Sequence, residues 1–292
     1  MPRLDAGHAP EAVTEDLFLG GRLRLSQPRT GARAGADAVF LAAAAPARAG
    51  ERLVELGSGS GAAMLCLAAR VPEAEVLGIE IEPELAELAR RNAAKNGFAA
   101  TVSVQTGDIA DLFADFPQAS FNHVLANPPF FEAGRVAPPT EAKRRRARVA
   151  TDRDLDLWLR FAAHALKPRG SLTVIWRAER LPALLAGLPG RFGGISVFPL
   201  WPRAGRAAKL VIVQGWKGAR APFRLMPGLV LHGEGTAYTA AATAILRDGA
   251  ALDIESGADR KSKPPRQMTG KAESLATPIA PVPPGRRLAT SF

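Results

Sequence analysis

The 292-residue chain has one cysteine, Cys66, and four scattered histidines, His8, His123, His164 and His232. A lone thiol excludes a disulfide framework, and without paired histidines the common zinc spacings are excluded as well, so no metal is expected. Long apolar runs are missing too. Stretches such as Ala38 to Ala45 fall far short of the ~20 residues that a membrane span requires, and no membrane partner is expected. The first residues include Asp5 and Glu11 instead of a basic segment leading into an apolar one, so no secretory signal is read and a cytoplasmic location is the expectation. What is present is 47% hydrophobic residues in a chain long enough to bury roughly three quarters of its unfolded surface. A soluble enzyme or binding protein is the class to start from.

The formal net charge of +10 is unevenly placed. Residues 257–292 carry seven basic side chains against Asp259 and Glu273, and Lys143, Arg144, Arg145, Arg146 and Arg148 lie within six residues. Everything else is neutral in sum. Clustered basic charge points to a polyanion such as RNA more strongly than evenly spread charge does, although a solvated loop and tail would look the same.

From Arg52 to Gly215 short β-rich runs alternate with helical ones, the pattern of a sheet covered by helices on both faces. Strands are expected at Arg52–Leu56, Glu75–Glu80, Thr101–Gln105, Asn122–Ala126, Ser171–Trp176, Ile195–Leu200 and Lys209–Gln214. Helices are expected at Gly61–Arg70, Pro83–Asn96, Asp152–Leu166 and Arg180–Leu188. Only Trp201 to Ala208 separates the last two strands, too short for a crossover helix, so these should pair antiparallel at one side of the sheet. Upstream, Asp16 to Gln27 reads as a hairpin turning at Gly20-Gly21, followed by a short Ala-rich helix from Asp37 to Ala45. Downstream, Leu229 to Asp253 should add a strand and a helix, Thr239 to Arg247. Beyond Ser256 the composition turns to Pro, Lys, Arg and Ser, which reads as a disordered tail. The organisation expected is an N-terminal hairpin and anchor helix (1–50) packed on a catalytic α/β domain (51–256), with the tail at 257–292.

Three features fall at successive strand ends. Glu55-Leu56-Gly57-Ser58-Gly59-Ser60-Gly61 closes the first strand of the alternating region and opens a helix, giving a tight turn whose free N–H groups a ligand can approach. Glu80 ends the next strand, where a carboxylate can accept both hydroxyls of a ribose; an exposed strand-end acid is the plain alternative. Asp108 follows the third strand and can reach an adenine amino group, with the Ile109 backbone beside it, or can cap a helix. Taken together these features resemble the class I S-adenosylmethionine-dependent methyltransferases across about Val13 to Ile254. The resemblance implies a Rossmann-like seven-stranded sheet with an antiparallel last strand and S-adenosyl-L-methionine as cofactor. It assigns the methionine part to Glu55, Gly57, Ser58, Gly59 and Gly61, the ribose to Glu80 with Ile81 beside it, and the adenine to Asp108 and Ile109.

After the fourth strand comes Asn127-Pro128-Pro129-Phe130. Two prolines make a rigid extended step with no N–H donors, leaving carbonyls available to an outside donor. The Asn127 amide oxygen is a second acceptor and Phe130 an aromatic face. Such a group suits a planar substrate bearing NH2, whose hydrogens are held in the developing tetrahedral geometry while the base is stacked. The tetrapeptide resembles the N-P-P-[YFW] signature of methyltransferases acting on adenine N6, guanine N2 or glutamine. With the hairpin leading into QPRTG, the GADAVFL helix, the basic run and L-K-P-R-G, the chain resembles the bacterial methyltransferases that modify adenine N6 at position 37 of valine tRNA. By that resemblance Asp37 lies near the methionine end of the cofactor, though an acid there also suits helix capping. Asn127 joins both the catalytic and the cofactor set.

The basic run would flank the mouth of such a site and hold RNA phosphates, and Arg153, Arg203, Arg206 and Lys209 could extend that surface or be ordinary surface charges. His123 and His164 read as structural, and Trp158, Trp176 and Trp216 as core. Monomer is the expected state. The competing readings are a guanine-N2 enzyme acting on ribosomal RNA, a glutamine methyltransferase, and a catalytically silent RNA-binding module.

Overall fold

The computed structural model describes residues 13–31, 33–128 and 152–254, with side chains of 152–154 excluded. Pro129, Phe130, the basic run Lys143 to Arg148 and the tail 257–292 lie outside the described residues.

Two short strands, β1 (Val13–Phe18) and β2 (Leu23–Pro28), form an antiparallel hairpin around the 3-10 turn Leu19–Gly21. Helix α1 (Ala36–Ala44) follows. The alternating region then runs β3 (Arg52–Leu56), α2 (Ala62–Arg70), β4 (Glu75–Glu80), α3 (Pro83–Lys95), β5 (Val102–Thr106), α4 (Ile109–Leu112), β6 (Phe121–Ala126), α5 (Asp152–Ala165), β7 (Leu166–Arg177), α6 (Leu181–Gly187), β8 (Phe192–Trp201) and β9 (Leu210–Lys217). Two-residue strands β10 (Arg224–Leu225) and β11 (Leu229–Val230) and helix α7 (Ala240–Asp248) complete it. Among the described residues no helix is long and apolar enough to cross a membrane.

The sheet order is β10-β8-β9-β7-β6-β3-β4-β5, with β11 also on β8. The seven strands expected are β3 to β9, and β9 runs antiparallel to both β7 and β8. β10 and β11 widen this to nine; β11 is the strand expected from Leu229 onward, whereas β10, two residues long, is too short for a periodicity to reveal. The sheet is buried on both faces. Leu53 packs with α1, α2 and the hairpin, while its neighbours Val54 and Leu56 pack on the opposite side with α5 and α6. This explains why Leu53 and Val54, neighbours that face opposite sides of the sheet, are both apolar.

One stretch departs from expectation. Leu166 reads as the last residue of a helix and Lys167 to Gly170 as the link to the strand, yet Leu166 pairs with Phe121 and Ser171 with His123. The intervening residues bulge out, with Arg169 at φ 64°. Pro168 has no N–H to give the ladder, so the bulge forms where pairing would fail in any case.

The hairpin is held to α3 by two asparagines one turn apart. Asn92 donates from Nδ2 to the Ser26 carbonyl and accepts the Ser26 N–H, both at 2.9 Å, and Asn96 does the same with Arg24, also at 2.9 Å. Side-chain amides thus stand in for a neighbouring strand along β2. Asn92 also donates to the Ser60 carbonyl at 2.9 Å, tying the hairpin to the glycine turn. Asn92→Ala would leave the half-buried Ser26 groups and the buried Ser60 carbonyl unpaired, and a loss of roughly 2–4 kcal/mol is expected in urea unfolding. A loss under about 0.5 kcal/mol would show that the amide is not holding the hairpin.

Candidate active site

The carboxyl ends of four adjacent strands, β6, β3, β4 and β5, carry Asn127, Glu55 with the glycine turn, Glu80 and Asp108. The chain crosses to opposite sides of β3 on leaving it and on returning as β6. A crevice is left outside the strand ends at this reversal, where ligands bind in open α/β sheets.

The turn after β3 is pinned from below. Ser58 N–H donates to the Ile79 carbonyl at 3.0 Å, and Gly59 N–H donates to Glu80 Oε2 at 2.7 Å. Glu80 Oε1 accepts the Glu82 N–H at 3.0 Å, so this 6% exposed carboxylate shapes the turn as well as ending β4. Gly57 and Gly59 have φ of 66° and 56°, the left-handed region where only glycine is unstrained. At Gly57 a Cβ would come within 2.9 Å of the Trp158 ring, whereas at Gly59 nothing lies within 4 Å of one. Backbone with open space above it is what a ligand needs for close approach. Ser58 Oγ instead turns inward over Gly78 and makes no hydrogen bond among the described residues.

Glu55 is buried under this turn and accepts the Met64 N–H at 2.9 Å. Burial pushes its carboxyl up to about 8, opposed by that hydrogen bond and reinforced by the nearby Glu80 and Asp37 carboxylates. An unfolded chain loses this proton near 4.5, while the folded chain keeps it to about 8. Between those values the native state binds more protons than the unfolded state, so stability falls as pH rises. Urea unfolding of wild type without ligand is expected to lose up to about 4–5 kcal/mol from this group between pH 4.5 and pH 8. Glu55→Gln should flatten that slope; equal slopes in the two proteins would refute the assignment.

Asp108 is the N-cap of α4, its Oδ1 accepting the Ala110 N–H at 2.9 Å. Ile109 is buried beside it, and Ile81 is half-buried after Glu80.

The loop after β6 begins with Asn127, half-buried, and Pro128, buried. Asn127 Nδ2 donates to Asp37 Oδ2 at 2.8 Å, and Asp37 Oδ1 accepts the Gly35 N–H at 3.0 Å. Both carboxylate oxygens are therefore used inside the protein. Sequence alone led to the cofactor or to a helix cap for Asp37. The structure puts it on the first turn of α1, bonded back to Gly35 at the cap position and across to Asn127. The physical reason is the fixed seat of α1, whose last carbonyls, Ala42 and Ala45, accept from Arg70 of α2 at 2.9 and 2.6 Å. With Nδ2 committed, the Asn127 Oδ1 lies on the opposite side of the carboxamide, away from Asp37.

Trp158 on α5 was legible only as core, yet its ring abuts Gly57 and, with Pro128, lines a small apolar gap. Nothing in the helical pattern separates it from a packing residue. The histidines are structural: buried His123 bonds Ser171 Oγ at 2.8 Å and Glu51 Oε2 at 2.9 Å, and burial lowers its pKa; His164 bonds the Phe116 carbonyl at 2.8 Å.

A family model described as a methyltransferase domain matches residues 47–186. The tRNA1(Val) (adenine(37)-N6)-methyltransferase of Porphyromonas gingivalis is 35% identical over 175 residues, covering 58% of this chain and 68% of the relative. The enzyme of the same name from Escherichia coli O157:H7 is 31% identical over 153 residues, covering 52% and 61%. A crystal structure described as a predicted O-methyltransferase from Agrobacterium tumefaciens is similar with a TM-score of 0.62 at 29% identity, covering 74% of this chain and 98% of that one. With the Gly-rich turn after β3, the acids at the next two strand ends and the Asn-Pro step after β6 in place, the chain belongs to the methyltransferase family that contains the tRNA1(Val) (adenine(37)-N6)-methyltransferases.

Proposed function

We propose that this methyltransferase, whose methyl donor is S-adenosyl-L-methionine, acts on adenine N6 of RNA, and specifically on position 37 of valine tRNA as its relatives' names state. The observation that carries the reading is the Asp37–Asn127 hydrogen bond at the switch point beside the glycine turn. It leaves an amide oxygen, an acceptor only, presented at the strand edge where an amino group must be held.

The residues fit the donor. Open backbone at Gly59 admits a ligand, and Glu80 and Asp108 give the crevice an acidic edge suited to a molecule that carries ammonium and sulfonium charge, a ribose diol and an adenine amine. Glu80 would take the ribose hydroxyls, Asp108 and the Ile109 N–H the adenine, and the Gly57–Gly61 turn the methionine part. Bound there, S-adenosyl-L-methionine supplies an electrophilic methyl group.

The protein's task is orientation. The adenine amine is a weak nucleophile because its lone pair is delocalised into the ring. Asn127 Oδ1 and the Pro128 carbonyl accept its two hydrogens in positions that match a tetrahedral nitrogen better than a planar one, which favours the transition state over the ground state. Phe130 stacks on the base. As the N–C bond forms, the methyl–sulfur bond of the bound donor would break with the electron pair staying on sulfur, and one N–H proton would pass to solvent, so no strong base is required. The basic run Lys143 to Arg148 and the remaining RNA contacts hold the strand while the base is turned out.

Incubation of the full chain with labelled S-adenosylmethionine and total RNA or total protein, followed by chromatography of nucleosides and residues, tests this. N6-methyladenosine confined to one tRNA is the expected product. N2-methylguanosine or methylglutamine would overturn the proposal.

A further inference from the structure

The β8–β9 hairpin reaches past the level at which β6 stops. Ala126, the last residue of β6, pairs with Val174; β7 continues three residues to Arg177, which pairs with Leu210, and Leu210 pairs with Leu200. At ~3.3 Å per residue, the loop Trp201 to Lys209 stands ~10 Å above the strand end that bears Asn127. It lies on the same edge, three strand spacings to one side, ~14 Å. β11 runs parallel to β8, so the next loop, Leu231 to Thr239, emerges on that edge as well.

The two loops are locked together. Leu231 N–H donates to the Trp201 carbonyl at 2.8 Å, His232 N–H to Pro202 at 3.2 Å, and Arg203 Nη1 to Gly233 at 3.2 Å. Beside them is an open groove of about 460 Å³ lined by Trp201, Ala204, Gly205, Arg206, Ala207 and Val230. Arg203, Arg206 and Lys209 are exposed, and no described residue forms an ion pair with any of them. Glu234 is the one acid in the two loops. His232 and Tyr238 stack with centroids 4.5 Å apart, and Tyr238 is 43% exposed.

We propose that this groove holds a nucleotide of the RNA substrate other than the one being methylated. Arg206 and Lys209 take phosphate, the Trp201 wall takes the base, and Tyr238 offers its ring to a neighbouring base. Cations beside stacking rings are the combination that single-stranded nucleic acid requires, whereas an acidic protein would use the cations and have no need of the rings. A target base can be turned out at Asn127 only if flanking RNA is gripped elsewhere, and this platform stands within ~20 Å of that point on the same edge.

The proposal rests on the reading of the chain as an RNA methyltransferase, and the test separates the two. The full chain, the double variant Arg206→Glu/Lys209→Glu, Tyr238→Ala and Tyr238→Phe are compared for binding of an unmodified valine-tRNA transcript across a potassium chloride series. The double variant should raise Kd at least tenfold and make the slope of log Kd against log salt shallower by about 2. Tyr238→Ala should weaken binding about fivefold or more and Tyr238→Phe by less than about twofold, since the ring is what stacks. The Kd for S-adenosylmethionine should stay within twofold in every variant, which shows the cofactor half intact. Unchanged RNA affinity and slope in the double variant, with wild type methylating the transcript, overturns the groove and leaves the function standing. A wild type that methylates protein and no RNA overturns both.

Discussion

Asn127→Ala is expected to bind S-adenosylmethionine with near wild-type affinity and to lose about 10²- to 10³-fold in kcat, the scale on which removal of one preorganised polar group from a reacting centre acts. Asn127 makes its described side-chain hydrogen bond to Asp37 and not to the glycine turn or to Glu80. Truncation therefore removes the acceptor for the amine while leaving the crevice built. Single-turnover assays at saturating cofactor and RNA, with cofactor Kd from calorimetry, measure the two quantities separately. A kcat within about threefold of wild type would sink the orientation mechanism. A parallel loss of cofactor binding would relocate Asn127 to the cofactor site.

Asp37→Asn is expected to cost about as much in kcat as Asp37→Ala, near 10²-fold, although it preserves shape. Asp37 accepts two hydrogen bonds, one on each oxygen, from Gly35 and from Asn127. An asparagine has one acceptor oxygen, so one of the two donors would meet an NH2 group. The relief available is for Asn127 to rotate its carboxamide, which turns its own NH2 toward the substrate amine. Asp37 is thus a positioning residue, and the effect should appear in kcat with the KM for RNA and the Kd for cofactor little changed. If Asp37→Asn retained full kcat while Asp37→Ala did not, volume and not acceptor count would be the operative property. If either variant weakened cofactor binding more than tenfold, the carboxylate would serve the methionine end, as the family resemblance suggested.

Much of this protein is written in short-range patterns. Pro83 with its fixed φ starts α3 where expected. Glu75 to Glu80 is a strand to the residue, and the missing crossover helix between the last two long strands correctly marked an antiparallel pair. The glycine turn was legible for the same reason, since positive φ at Gly57 and Gly59 is a demand that one residue type meets cheaply. Less visible were the long bulge at Lys167 to Gly170, where helix, turn and strand signals overlap, and the two-residue strand β10. Trp158 and Asn92 gave no functional signal. An aromatic on a helix and a polar residue in an Ala-rich helix have many uses, and the ring against Gly57 and the bond to Ser60 depend on how helices dock.

The amino-acid sequence by itself determined the fold class, the edge of the sheet that carries the candidate site, and the residue types placed there, because strand ends, glycine turns and the Asn-Pro-Pro step are set by neighbours a few positions away. Tertiary structure alone decided which way Asn127 faces. Its partner is ninety residues away, and the two meet only because α1 is seated against α2 and the sheet. Tertiary structure likewise decided that Arg206 and Lys209 share an edge with Asn127. That follows from a register in which β7 outruns β6 by three residues and β9 returns against it, a relation between strands that no single stretch of sequence contains.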